Sequence, residues 1–149
     1  MTVDNSACRL CMGDRKLDAR HLMDDCCLIH EFKQIATKLF RNHHLAPQLQ
    51  QHRSWWPKLP SSKVLAAFII ITLHVAWKAR CSFRYENTTI LPVPPKFIRM
   101  VLDAYRQHVV VISRRLSHRK VDRKRHGSLN DWLIPGHLAH HNGFFTVFL

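Results

Sequence analysis

The stretch from Val64 to Trp77, VLAAFIIITLHVAW, constrains the fold most: it is 14 residues almost without a polar side chain. So much apolar surface has to leave water. A helix that crosses a bilayer needs about 20 such residues, and this run is shorter and contains His74. It is therefore expected to be a helix, apolar nearly all round, at the centre of a core. The β-branched isoleucines would also suit a strand over Phe68 to Thr72, but the length of the run favours a helix. Pro60-Ser61-Ser62 supplies a start, with a serine able to cap the first N–H groups, and the helix is expected to reach about Arg80.

A central helix needs amphipathic partners, and two segments qualify. Between residues 28 and 40, Leu28, Ile29, Phe32, Ile35, Ala36, Leu39 and Phe40 recur at three and four and share one face. Phe97, Ile98, Val101, Leu102, Tyr105, Val109, Ile112 and Leu116 make a second stripe, weakened slightly by the run of valines at 109 to 111. Arg41 to Pro60, with Pro47, Pro57 and Pro60, reads as a loop carrying a docked aromatic pair, Trp55 and Trp56. Arg84 to Pro95 reads as a connector ending in Pro92-Val93-Pro94-Pro95. With only four glycines, a turn-rich all-β fold is disfavoured. The expected class is mainly α: a small N-terminal metal-bound segment (1–27), a few packed helices (28–112), and a basic segment and tail (113–149), in which Ser113 to His126 either prolongs the last helix or frays and the last 23 residues show no periodic pattern and are expected to be poorly ordered.

Charge is the outlying property of the composition. The formal net charge is +13, and self-repulsion of that size is relieved by a polyanionic partner. Nucleic acid is the first candidate, because each phosphate contacted releases counterions; an anionic membrane surface is the second. From Ser113 to His126 the chain carries seven Lys/Arg against one Asp. Arg114, Arg115, Arg119, Lys120, Arg123, Lys124 and Arg125 are the candidate phosphate contacts. On a continuing helix Arg115, Arg119 and Arg123 would share a face, where like charges repel. A solvated helix end or a localisation signal explains the same run equally well.

Chemistry is concentrated at the N-terminus. Three of the five cysteines fall within the first 26 residues, beside a histidine. The N-terminus, Met-Thr-Val-Asp-Asn-Ser, has neither a basic region nor an apolar run, so no signal peptide and an intracellular, reducing compartment are expected. There, clustered cysteines point to a metal. Cys8 and Cys11 form a Cys-x-x-Cys pair, nine residues follow, and then come His21 and Cys26. Zn²⁺ takes four soft or borderline ligands in a tetrahedron. A Cys-x-x-Cys turn supplies two, and the segment containing Met12-Gly13-Asp14 can reverse the chain to bring in the rest. His21 and Cys26 are five apart, so on a regular helix they would diverge by about 140°. The chain must leave helical geometry between them, or the helix must start after Cys26. A filled four-ligand site is structural rather than catalytic. Cys27 and His30 compete for the last position; Cys27 reads as a small core residue and His30 as a helix-surface residue. Cys81 reads as buried.

Taken together, Cys8-Arg9-Leu10-Cys11, then Ala19-Arg20-His21-Leu22-Met23-Asp24-Asp25-Cys26, an amphipathic helix, and a Trp-bearing apolar helix ending HVAWKARCSF (74–83) resemble a known family. It is the zinc-binding domain C-terminal to non-LTR (LINE-type) retrotransposon reverse transcriptases. The resemblance covers roughly residues 5 to 100. Trp77-Lys78-Ala79-Arg80 matches the family's Trp-x-x-Arg, although Cys81 stands where Asn is commoner. The resemblance implies one structural zinc and a domain that follows a polymerase and helps to hold template RNA or target DNA. The polymerase's paired-carboxylate motif is absent from this sequence. Met1, seven residues before Cys8, fits a detached C-terminal piece of a retrotransposon polyprotein.

No nucleophile elbow, phosphate-cradling glycine loop or His-Glu-x-x-His occurs, so no enzymatic activity is expected. Asp24-Asp25 is the sole acidic doublet, and it reads as a solvated loop pair rather than a two-metal site. Trp55 and Trp56 could stack on bases but read better as packing residues. His137, His140 and His141 could hold a second metal but read better as tail. The leading expectation is a non-catalytic zinc module that binds RNA or DNA. A scaffold that docks through its apolar helix, on a partner such as a reverse transcriptase polypeptide, and a polybasic membrane-surface protein stand as alternatives.

Overall fold

A computed structural model describes residues 20, 21, 24, 26–55, 58–85, 94–118 and 127–148. The protein is mainly helical. In chain order it has α1 (Cys27–Leu39), α2 (Ala46–Gln51), α3 (Lys63–Tyr85), α4 (Pro94–His118), a one-turn α5 (Leu129–Trp132), and strands β1 (Leu138–His141) and β2 (Phe144–Val147).

The central segment is a helix throughout, not a strand. Ser62 starts α3 as its composition suggested: its hydroxyl accepts the Leu65 N–H at 3.3 Å. The buried Thr72 hydroxyl donates to the Phe68 carbonyl at 2.8 Å, so it costs the core no unsatisfied group. The helix continues to Tyr85, beyond the expected Arg80. It is central but not sealed all round: Val64, Leu65, Phe68, Ile69, Leu73 and Ala76 are buried, whereas Ile70 is 51% and Trp77 43% exposed.

α1 and α4 close the other sides with the predicted faces. Ile29, Phe32, Ala36 and Leu39 of α1 are buried, as are Phe97, Val101, Leu102, Tyr105, Val109, Ile112 and Leu116 of α4. Aromatic rings join the three helices. Phe32 meets Phe97 at 4.1 Å between centroids, and Phe68 meets Phe40 edge-on at 4.9 Å and Tyr105 at 5.5 Å. Pro94 sits at the start of α4, where a missing N–H costs nothing, so the connector is shorter than expected. α4 runs unbroken through Ser113 to His118.

Two segments differ from expectation. The stretch from Arg41 to Pro60 contains α2, with Pro47 in its first turn. A proline there favours a helix rather than breaking one, and Leu45 and Leu49, one turn apart, are buried. Within it Trp55 is docked, 1% exposed; Trp56 lies outside the described residues.

The tail is ordered over 127–148. Ser128 opens α5, with its N–H donating to the Asp131 carboxylate at 3.2 Å. Pro135-Gly136 then turns the chain, Gly136 at φ +82° and the His137 N–H donating to the Ile134 carbonyl at 2.9 Å, which is the residue pattern of a type II turn. Asn142 (φ +50°) and Gly143 (φ +81°) form the two-residue turn of an antiparallel hairpin that pairs Leu138 with Val147 and His141 with Phe144. Low order was expected because a two-residue turn and four-residue strands leave no periodic stripe. Trp132, Ile134 and Leu138 are buried, and both α5 and β2 pack against α4.

Candidate metal-binding turn and nucleic-acid interface

The chain approaches α1 through a π-type turn holding His21 and Asp24. The Cys26 N–H donates to the His21 carbonyl at 2.7 Å, a bond across five residues. Cys26 itself has extended backbone, φ −61° and ψ 135°, and α1 begins at the next residue. Helical geometry is thus left between the two candidate ligands, and the helix starts after Cys26. His21 is 5% exposed and Cys26 fully buried. An imidazole and a thiol are a donor pair suited to zinc.

Cys8 and Cys11, the other two candidate ligands, lie outside the described residues. Among the described residues no group of three or more His, Cys, Asp or Glu side chains could hold a metal. Of the rival ligands, His30 is exposed on α1, in agreement with a surface role. His137, His140 and His141 do not converge. His140 and His141 are successive strand residues and so face opposite sides, His140 packs on Phe145 at 4.5 Å, and His137 Nδ1 lies 3.2 Å from the Phe148 carbonyl.

Asp24 corrects the sequence reading. It is not a solvated loop residue; Asp25 lies outside the described residues. The Asp24 carboxylate pairs with Lys33 of α1, and both side chains are about five-sixths buried. It also accepts the Trp55 N–H at 3.0 Å and the Ser54 hydroxyl at 2.9 Å. Burial acts to raise the Asp24 carboxyl, but the Lys33, Trp55 and Ser54 hydrogen bonds outweigh it and hold the group below the usual carboxylate value. The residue between His21 and Cys26 therefore pins the turn to α1 and to the loop before α3. Nothing local in the sequence marked this, since Ser54 and Trp55 lie 30 and 31 residues away.

Of the seven candidate phosphate contacts, Arg114 and Arg115 are exposed on the last turns of α4. Arg119, Lys120, Arg123, Lys124 and Arg125 lie outside the described residues. The same helix contributes basic residues that the sequence reading did not single out: Lys96 and Arg99 are exposed and Arg106 is half-buried. The one acid on α4 is Asp103, 3.7 Å from Arg99. At a rise of 1.5 Å per residue, Lys96 and Arg115 stand about 28 Å apart along the helix. The signal was in the sequence: Lys96, Arg99, Arg106 and Arg114 avoid the Phe97-to-Leu116 stripe, whereas Arg115, about five turns from Phe97, stands at its edge. Trp55 is too deeply buried to stack on a base.

Comparison of the chain with protein-family models, with curated proteins and with solved structures finds no match. Its function is accordingly read from its own residues.

No helix among the described residues is long and apolar enough to cross a membrane.

Proposed function

We propose that the protein is a non-catalytic zinc module that binds nucleic acid, of the kind found C-terminal to non-LTR retrotransposon reverse transcriptases, and that it derives from such a polyprotein. The observation that carries this reading is the basic face of α4, with one acid on the helix, in a chain of net charge +13. α4 holds Arg114 and Arg115 on a rigid element that leads into the basic run at 119–125. Cys8, Cys11, His21 and Cys26 would hold one structural zinc; the donor chemistry and the break in helical geometry between His21 and Cys26 support it. The metal would supply order to the N-terminal segment, not reactivity.

The test is the salt dependence of binding to RNA and DNA oligonucleotides. Phosphate contacts give a linear fall of log affinity with log salt. Arg114→Ala with Arg115→Ala should flatten that slope by about two; an unchanged slope would remove α4 from the interface.

A second reading rests on Ile70 and Trp77, which α3 exposes seven residues apart on one face. It makes the protein a scaffold on which zinc orders only the N-terminus, with α3 docking a polypeptide. Partner binding that survives loss of Arg114 and Arg115 would favour it.

A further inference from the structure

A cleft of about 230 Å³ lies between α1 and the segment from α2 to the loop before α3. Its floor is apolar, formed by the buried Leu49 and Trp55. Its rim carries His30 and Gln34 from α1, and Gln50 and Arg53 from the other side, all four exposed. Lys33 also lines it, but the Asp24 carboxylate neutralises that ammonium. No carboxylate is among the lining residues, so Arg53 leaves the cleft positive.

We propose that this cleft takes one unpaired nucleotide of a single-stranded nucleic acid; the proposal rests on the nucleic-acid reading above and names a second point of contact, lined by residues of α1, α2 and the loop before α3 and by none of α4. Four features of the cleft choose this occupant. Drug-sized and cofactor pockets run to roughly 300–1,000 Å³; a smaller cleft suits one ring and its phosphate. Gln34 and Gln50 each present a donor and an acceptor side by side, which matches the mixed edge of a base and not a bare phosphate or a lipid headgroup. The Arg53 guanidinium, planar and always charged, matches a phosphodiester. Recession between two elements admits a base that is splayed out and excludes one held in a duplex.

The cleft is also tied to the metal-binding turn. Trp55 in the floor and Lys33 in the wall are both hydrogen-bonded to Asp24, which lies between His21 and Cys26. Ordering of that turn therefore braces the cleft from behind.

The test uses the full chain and fluorescein-labelled oligonucleotides, single-stranded and duplex, of the same sequence at one salt concentration. Gln34→Ala with Gln50→Ala, and separately Arg53→Ala, alter exposed side chains; an unchanged circular-dichroism spectrum and melting temperature confirm folding. Each variant should lose about tenfold in single-strand affinity, a typical cost for a lost bidentate base contact or phosphate contact, while duplex affinity stays within about twofold. Equal loss for both forms would overturn the proposal, leaving the cleft as plain positive charge. So would unchanged binding of both, or competition by inorganic phosphate as strong as that by a mononucleotide. If wild type binds neither form, the nucleic-acid reading falls as a whole. If wild type binds and only Arg114→Ala with Arg115→Ala weakens it, that reading stands and the cleft proposal alone falls.

Discussion

The turn before α1 and the segment from α5 through the hairpin are both short and attached to the same helical core, and the balance of what holds them differs. The turn is fixed by polar bonds. One carboxylate, Asp24, ties Lys33, Ser54 and Trp55 together, and two buried donor side chains, His21 and Cys26, flank it. The C-terminal segment is fixed by apolar burial. Trp132, Ile134 and Leu138 are each 2% exposed or less, and turn chemistry sets the register. A segment held by a few directional bonds can be ordered or released by one ligand. A segment held by buried area cannot, since its energy is spread over many contacts. Under the proposed zinc reading, the responsive part of the molecule is the N-terminal turn and the permanent part the C-terminal segment.

The largest expected effect is on the permanent side. Trp132→Ala should destabilise the fold by about 3–5 kcal/mol, the range for large aromatic truncation in a core, read from urea unfolding. A loss under about 1 kcal/mol would mean that the tail is not part of the core. On the responsive side, Asp24→Ala should cost about 2 kcal/mol, because it leaves a largely buried ammonium with only the residue-24 carbonyl, 3.2 Å away, and the Trp55 N–H without its acceptor. The comparison sharpens if that loss is confined to exchange protection near Trp55 and α1, with Trp132 still protected. Tyr105→Phe tests the bond from its buried hydroxyl to the Trp132 carbonyl, 2.7 Å long, and should cost about 1 kcal/mol. Gly143→Ala should cost a similar amount, about 1 kcal/mol, by placing a Cβ at a left-handed residue, and should shift hairpin resonances without disturbing α1.

The smallest effect is a pH dependence at His43, which, like its neighbour His44, reaches Asp131 of α5. His43 is buried; its Nδ1 accepts the Leu45 N–H at 3.0 Å, so its Nε2–H donates to the Asp131 carbonyl at 2.9 Å. Burial is the main cause that lowers its proton affinity, and the nearby His44 adds to it; the Asp131 carbonyl and charge oppose both. Above the ordinary imidazole value of about 6.5 the group is neutral in folded and unfolded chains, and its stabilising contribution is whole. As pH falls below that value the unfolded chain takes up the proton first, and stability declines until the folded-state value is passed. His43→Gln should reduce the loss of stability between pH 7.5 and 5.5; an unchanged slope would assign the dependence to other histidines.

α1 and α4 were legible because their apolar positions repeat at helical spacing over three or more turns, and α3 because its apolar run is too long for a strand and Ser62 caps it. α2 was hidden because six residues beside three prolines cannot show a period. The hairpin was hidden although Asn142-Gly143 and Pro135-Gly136 stand in the sequence: turn chemistry is local, and four-residue strands leave no stripe. Asp24 was hidden for a different reason. A carboxylate's partners in space need not be near in sequence, so its neighbours, candidate zinc ligands, dominated how it was read.

The measurement that bears most directly on the whole account is the zinc content of the 149-residue chain purified without added metal, beside Cys11→Ser and His21→Ala. The account predicts about one zinc per chain, lost in both variants together with exchange protection around Asp24 and Trp55 while the tail around Trp132 stays protected. A folded wild type that carries no zinc, with the Asp24 turn protected all the same, would contradict it.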